Sequence, residues 1–320
     1  MSEIGSEFQR MPFGDGHGLT LPRPGTLVFS GRTAIEAVLK QLSDVRKALL
    51  PSYCCDSMIV PFRRAGIEVG FYSVDWDGEL KIQIKDSADI LVWCNYFGFK
   101  NEMPDYDGVL IEDITHSLLS ESPSHPQADY LVASLRKWEP VNSGGYCSID
   151  AFGIEPPEEY VNLKTSAMKL KTEYLKTPNT EKKERFLRMF GECNHWLAEN
   201  YSGLAIDSFS RDYLERVDVE KQRRIRRENA KSLYEGLEGK VQFMFPIEDM
   251  DCPLFVPILL PNRDEVRSYL IKNEIYCPIH WPKPDGCESN IYYSELSLIC
   301  DQRYGPNNME RIVSTMLEIL

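Results

Sequence analysis

Between residues 27 and 150 short apolar runs alternate with helical stretches, and no other feature of the chain restricts its fold as much. Candidate strands are 48–51, 68–73, 90–93, 108–112, 130–135 and 145–149. Helical spacing occupies 33–42, with Ile35, Val38, Leu39 and Leu42 on one face and Glu36, Lys40 and Gln41 between them. A second helical stretch, 56–65, contains Pro61, which must kink or shorten it. Strands joined through helices need crossover connections, so the expected fold is α/β: a mainly parallel sheet with helices on both faces, a three-layer sandwich. In such sheets ligands collect at the carboxyl ends of the strands.

Two strand exits carry chemistry. In 130–150, YLVASLRKWEPVNSGGYCSID, an apolar run delivers Arg136 and Lys137 at its end, and Gly144 and Gly145 open the next strand. A single lysine is ordinarily a solvated surface residue. The preceding strand alters that reading, because 109–119, VLIEDITHSLL, ends in Glu112 and Asp113, with His116 close behind. An acid leaving one buried strand and an amine leaving the next suit pyridoxal phosphate, which needs a lysine for covalent attachment and a carboxylate against its ring nitrogen.

A third stretch, 27–39, LVFSGRTAIEAVL, supplies a phosphate site. Ser30, Gly31, Arg32 and Thr33 open an amphipathic helix there. A helix start offers unsatisfied N–H groups, and glycine lets an anion approach the backbone closely. Ser-Gly ahead of a helix, taken alone, is more often a plain N-cap.

These segments resemble the DegT/DnrJ/StrS family of nucleotide-sugar aminotransferases, fold-type I pyridoxal phosphate enzymes. The family pattern is matched by SGRTA (30–34), PSYCCDS (51–57), EDITH (112–116) and SLRKWEPVNSGG (134–145), in that order. The similarity covers roughly 26–150 and resumes at 296–313, LSLICDQRYGPNNMERIV. It implies that Lys137 holds the cofactor and moves the substrate proton, that Asp113 pairs with the ring nitrogen, and that His116 lies beside the ring hydroxyl. It further implies that Gly31, Arg32, Thr33 and Ser134 hold the phosphate and that Tyr53 and Cys55 lie near the ring. Cys55 stands where relatives commonly carry an aromatic residue, and Arg32 where threonine is usual. A homodimer with active sites at its interface is implied as well.

Composition narrows the remaining classes. With 320 residues, 42% hydrophobic and 27% charged, the chain can bury a large core and form about two domains. A net charge of -13 argues against general binding to nucleic acid or anionic membranes. No run reaches membrane-spanning length and residues 1–18 lack the apolar core of a signal peptide, so a cytoplasmic location is expected. Nine cysteines without a C-x-x-C pair read as reduced thiols and give no metal site; Cys54 and Cys55 read as buried packing.

Residues 1–26, rich in Gly and Pro, are expected to run over the surface as an N-terminal arm. Helical stretches follow at 164–190 and 218–239, and the basic cluster Lys221, Arg223, Arg224, Arg226 and Arg227 reads as the solvated face of a long helix. A large cofactor domain of 1–215 and a small α+β domain of 216–320 are expected. In the latter, His280 and Trp281 lie in a Pro-rich loop, placed near substrate by the resemblance or on a surface turn without it. The expected activity is transfer of an amino group from glutamate or a similar donor to a keto-sugar, nucleotide-linked by resemblance. The alternatives are a non-catalytic binding protein and a dehydratase of the same family, which carries histidine in place of Lys137.

Overall fold

The computed structural model describes residues 3–99 and 101–320. In chain order its strands and helices are β1 (Ile4–Gly5), β2 (Thr26–Val28), α1 (Gly31–Leu39), β3 (Lys47–Pro51), α2 (Asp56–Arg64), β4 (Glu68–Trp76), β5 (Leu80–Gln83), β6 (Ile90–Cys94), β7 (Val109–Asp113), β8 (Tyr130–Ser134) and β9 (Gly145–Cys147). There follow α3 (Glu158–Lys176), α4 (Thr180–Asn200), α5 (Ser208–Leu214), α6 (Val219–Leu237), β10 (Gln242–Phe243), β11 (Val256–Leu259), α7 (Arg263–Lys272), β12 (Ile275–Tyr276), β13 (Glu295–Leu298) and α8 (Pro306–Leu317).

The chain divides into two compact units. The first holds the chain up to Ser6 with Asp44–Asp129 and Glu220–Leu320; the second holds Glu7–Ser43 and Tyr130–Val219. The first unit holds the strand order β7-β6-β3-β4-β5 and the second the order β2-β9-β8. In the first unit β3 pairs in parallel with β4 and β6, and β6 in parallel with β7, while the β4–β5 hairpin is antiparallel. All five residues of β6, ILVWC, are buried. A continuous apolar run is what a strand covered on both faces requires. In the second unit β9 pairs antiparallel with both β2 and β8. The α/β reading of the sequence is borne out, with antiparallel pairs beside the parallel ones.

A separate three-stranded antiparallel sheet, β10-β11-β13, belongs to the first unit. Val256 and Ile258 of β11, Leu296 and Leu298 of β13, and Met309, Ile312 and Met316 of α8 form one apolar core with α6 and α7. The α8 positions recur at helical spacing, which is why one face of that helix is buried.

Three local expectations are revised. Ile4 is fully buried, and β1 pairs in parallel with β12, so the arm does not stay at the surface throughout. The helical stretch 164–190 is two helices, because Pro178 interrupts it and the side chain of Asn179 accepts the Lys182 N–H to start α4. The basic side of α6 is only partly solvated. Arg226 is fully buried and donates to the Pro253 and Leu254 carbonyls, while Arg223 bonds the Leu119 carbonyl and Arg227 the Asp251 carbonyl. Guanidinium presents several donors in a fixed fork, so it satisfies loop carbonyls that would otherwise be buried unpaired.

Candidate active site

In the second unit, the start of α1 lies against the ends of two strands. Ser30, in extended conformation, caps the helix by accepting the Thr33 N–H at 3.2 Å, and the Ser30 and Thr33 hydroxyls meet at 2.9 Å. The Thr33 hydroxyl donates to the Tyr201 carbonyl at 2.8 Å. Both hydroxyls and the Thr33 amide therefore fix the turn itself. Gly31 opens the first turn, where a backbone N–H has no acceptor within a helix.

Close approach explains two glycines. A Cβ on Gly31 would stand 3.1 Å from the Ser134 Cβ, and a Cβ on Gly145 would stand 2.2 Å from the Ser30 carbonyl oxygen. The helix start, the end of β8 and the start of β9 thus form one cradle, and that shape suits a phosphate group. Gly145→Ala is expected to lose about 1 to 3 kcal/mol of stability through overpacking against backbone that cannot yield. Urea denaturation of the variant checks this.

Lys137 ends a single 3-10 turn, Leu135–Lys137, that leaves β8 directly. The turn is tied by the Leu135 N–H to the Gly144 carbonyl at 3.1 Å and by the Trp138 N–H to the Leu135 carbonyl at 3.0 Å. Trp138 is fully buried behind it and Lys137 is half-buried. A well-held backbone presents this amine.

In the first unit, Glu112 and Asp113 take opposite roles because successive strand side chains face opposite ways. Glu112 is fully buried and accepts from the Asn95 amide at 2.8 Å and the His125 N–H at 2.8 Å, with the His125 ring at 2.7 Å. Its function is architectural. Asp113 is half-buried, and one of its oxygens accepts the Thr115 N–H at 2.8 Å, which turns the chain toward His116.

His116 is buried, and its Nδ1 accepts the Phe97 N–H at 3.1 Å. Nδ1 therefore carries no hydrogen and Nε2 is the protonated nitrogen. Phe97 has φ +57, an uncommon conformation for a bulky residue, and the next residue, Gly98, has φ +107. A Cβ on Gly98 would stand 2.2 Å from the Cys252 carbonyl oxygen, so glycine is required there on both counts.

Aromatic rings surround His116. Trp281 lies 5.6 Å from it, Tyr53 lies 5.0 Å from Trp281, and Tyr96 and Tyr292 lie 5.4 and 5.1 Å from Tyr53. The Tyr53 hydroxyl and the Trp281 indole nitrogen are buried with no hydrogen-bond partner among the described residues. Burial pushes the Tyr53 phenol well above its usual range, so it stays protonated as a donor. Unpaired buried donors in one cluster are unusual and mark a place where a polar group would be accommodated. Cys55 is half-buried, with its sulfur 2.8 Å from the Ser57 hydroxyl.

Behind this cluster lies a buried relay. The His280 ring nitrogen Nδ1 meets the Ser297 hydroxyl at 2.8 Å, the Ser297 hydroxyl donates to Glu295, and Glu295 also accepts the His280 N–H at 2.7 Å. Burial raises the Glu295 carboxyl to about 8, against the opposing hydrogen bonds and the Arg263 charge. Tyr292 fixes the Tyr53 segment by bridging the Ser52 and Cys54 carbonyls and the Cys54 N–H. Neither Glu295 nor Tyr292 was singled out in the sequence, which gives no periodic or motif signal for them. Two clefts of the first unit, about 740 and 420 Å³, are lined by none of the expected site residues.

The expected residues thus fall into two local groups. Gly31, Thr33, Ser134 and the turn bearing Lys137 belong to the second unit, and Tyr53, Cys55, Asp113 and His116 to the first. Among the described residues no helix is long and apolar enough to cross a membrane. No group of three or more His, Cys, Asp and Glu side chains there could hold a metal ion.

No family model matches the sequence, and no curated protein matches it. Solved structures do resemble the fold. PseC of Helicobacter pylori, an aminotransferase involved in the biosynthesis of pseudoaminic acid, is 13% identical, with 99% of this chain and 98% of that chain covered and a TM-score of 0.65. The PLP-form of Spr1654 from Streptococcus pneumoniae is 10% identical, covering 99% and 94%, with a TM-score of 0.64. A DegT DnrJ EryC1 StrS aminotransferase from Brucella abortus is 14% identical, covering 92% and 85%, with a TM-score of 0.60. The fold of this chain is that of the DegT/DnrJ/EryC1/StrS aminotransferases.

Proposed function

We propose that the protein is a pyridoxal-phosphate-dependent aminotransferase that passes an amino group from glutamate or a similar donor to a keto-sugar. The observation that carries this reading is the cradle of Ser30, Gly31, Ser134 and Gly145 at a helix start, one short turn before Lys137. A helix start opened by glycines fits a phosphate, and a half-buried lysine on a pinned turn fits covalent attachment. The PLP-form of a structure with this fold supports the choice of cofactor. When bound, that cofactor supplies an electron-accepting ring that stabilises negative charge at the substrate carbon.

The residues of the chain divide the remaining work. Lys137 Nζ would hold the cofactor and would take and return the substrate proton as a general base and acid. Asp113 holds a proton on the ring nitrogen through its carboxylate. The N–H groups of Gly31 and Arg32, with the Ser134 hydroxyl, bind the phosphate; Arg32 adds a positive charge. His116 donates from Nε2, because Phe97 occupies its Nδ1. Tyr53 and Trp281 exclude water and offer donors to hydroxyls of the acceptor. The retained Lys137 disfavours the dehydratase reading. A homodimer and a nucleotide-linked acceptor are part of the same proposal.

Absorption spectroscopy tests the reading. Added pyridoxal phosphate is expected to give a band near the visible edge that L-glutamate bleaches. A band that no amino donor bleaches would overturn transamination, and the absence of any band would overturn the cofactor.

A further inference from the structure

Two buried thiols outside the proposed chemistry lie side by side. The Cys54 and Cys287 sulfurs are 4.0 Å apart, and both residues are fully buried. A disulfide requires about 2 Å between sulfurs, so a shift of roughly 2 Å joins them. The two partners differ in how firmly they are held. Tyr292 grips the Cys54 backbone from both sides, accepting its N–H at 2.9 Å and reaching its carbonyl at 2.7 Å. Cys287 follows Gly286, at φ +84, in a loop whose Pro282, Lys283, Asp285, Gly286 and Glu288 are exposed. It lies one layer beneath solvent, beside a glycine and close to a partner whose backbone is held.

We propose that Cys54 and Cys287 are a redox-active thiol pair, a modification site at which a hydroperoxide produces a disulfide that fastens the 277–293 loop to the 52–55 segment.

The proton distribution fits that direction of attack. The hydrogen bond shared by the two sulfurs, against burial, holds the Cys287 thiol below the usual range; the Tyr292 hydroxyl and the charges of Arg63 and Lys283 assist. That shared hydrogen bond, with burial, pushes Cys54 up. Cys287, which lies beneath the exposed residues of its loop, is assigned as the nucleophile. Its thiolate attacks one peroxide oxygen, the O–O bond breaks, and hydroxide leaves, giving a sulfenic acid. The Cys54 sulfur then loses its proton and displaces that oxygen, which departs as water. Two thiols are oxidised, and one hydrogen peroxide is reduced to two waters.

The bond would join the segment that carries Tyr53 to the loop that carries His280 and Trp281. It stands independently of the cofactor reading. Reduced protein is treated with one equivalent of hydrogen peroxide, capped with N-ethylmaleimide in denaturant, and mapped by trypsin and mass spectrometry. Free thiols are expected to fall from nine to seven, with peptides 48–63 and 273–303 linked and dithiothreitol releasing them. Each peptide contains more than one cysteine, so variants assign the pair. Cys54→Ala and Cys287→Ala are expected to abolish the link, whereas Cys55→Ala and Cys277→Ala retain it. Where a variant loses its fold by circular dichroism, fragmentation of the linked wild-type peptides makes the assignment. A link that survives Cys54→Ala, a link through Cys55, or sulfinic acid at Cys287 without any link would each overturn the proposal.

Discussion

Lys137→Ala is expected to abolish the absorption band that pyridoxal phosphate gives with the protein and to reduce transamination by about ten-thousandfold or more. In the proposed function one amine both holds the cofactor and moves the substrate proton, so its removal would delete a covalent anchor and a general base together. Lys137→Arg separates chemistry from charge. A guanidinium keeps the positive charge but stays protonated and is not a nucleophile at neutral pH, so this variant is expected to fail as fully as alanine. The turn around the residue does not depend on the side chain, since it is held by the Leu135–Gly144 and Trp138–Leu135 backbone bonds. Both variants should therefore remain folded, which circular dichroism checks alongside the spectrum. Activity within tenfold of wild type in Lys137→Ala would remove the residue from the mechanism.

The second large effect is a pH dependence of stability arising from Glu295. Burial raises its carboxyl from 4.5 to about 8, and Arg263 and the donors Ser297 and His280 only partly offset that. The unfolded chain releases this proton near 4.5, whereas the folded protein keeps it to about 8. Between those values the folded state binds more protons, so stability falls as pH rises through the window and levels off above it. Each pH unit is worth about 1.4 kcal/mol, which gives a loss on the order of 4 kcal/mol between pH 5 and pH 8. Glu295→Gln keeps a neutral group of similar shape without the titration. Compared by urea denaturation at pH 5 and pH 9, the variant is expected to gain on wild type by that amount. A difference that does not change with pH would show that Glu295 does not titrate in this range.

The consequence reaches the candidate site. Glu295 holds the His280 backbone directly and its ring through Ser297, and His280 packs edge-on against His116 at 5.7 Å between ring centres. Ionising Glu295 places a charge beside this packing, with Tyr53, Tyr292 and Cys277 in the surrounding apolar shell. Loosening of Trp281 and His116 at alkaline pH is the expected accompaniment.

The sequence by itself determined the α/β class and the positions of most central strands. A strand covered on both faces needs a continuous apolar run, and β6 has one; helices need apolar residues at every third or fourth position, and α1, α7 and α8 have them. It also marked Ser30, Asp113, His116 and Lys137 as candidates, because residues at strand exits and helix starts stand out in local order; the structure places them at those positions. What depends on contacts between distant segments was not legible. Ile4 is buried by pairing with β12, and Arg226 by carbonyls 27 and 28 residues away, although an arm terminus and a charged helix face both read as solvated. Tyr292 and Glu295 act on Cys54 and His280 through hydrogen bonds across 238 and 15 positions, and Cys287 meets Cys54 across 233. Periodicity reports only which face of an element is apolar; which distant donor, acid or thiol meets that face is decided when the chain closes on itself.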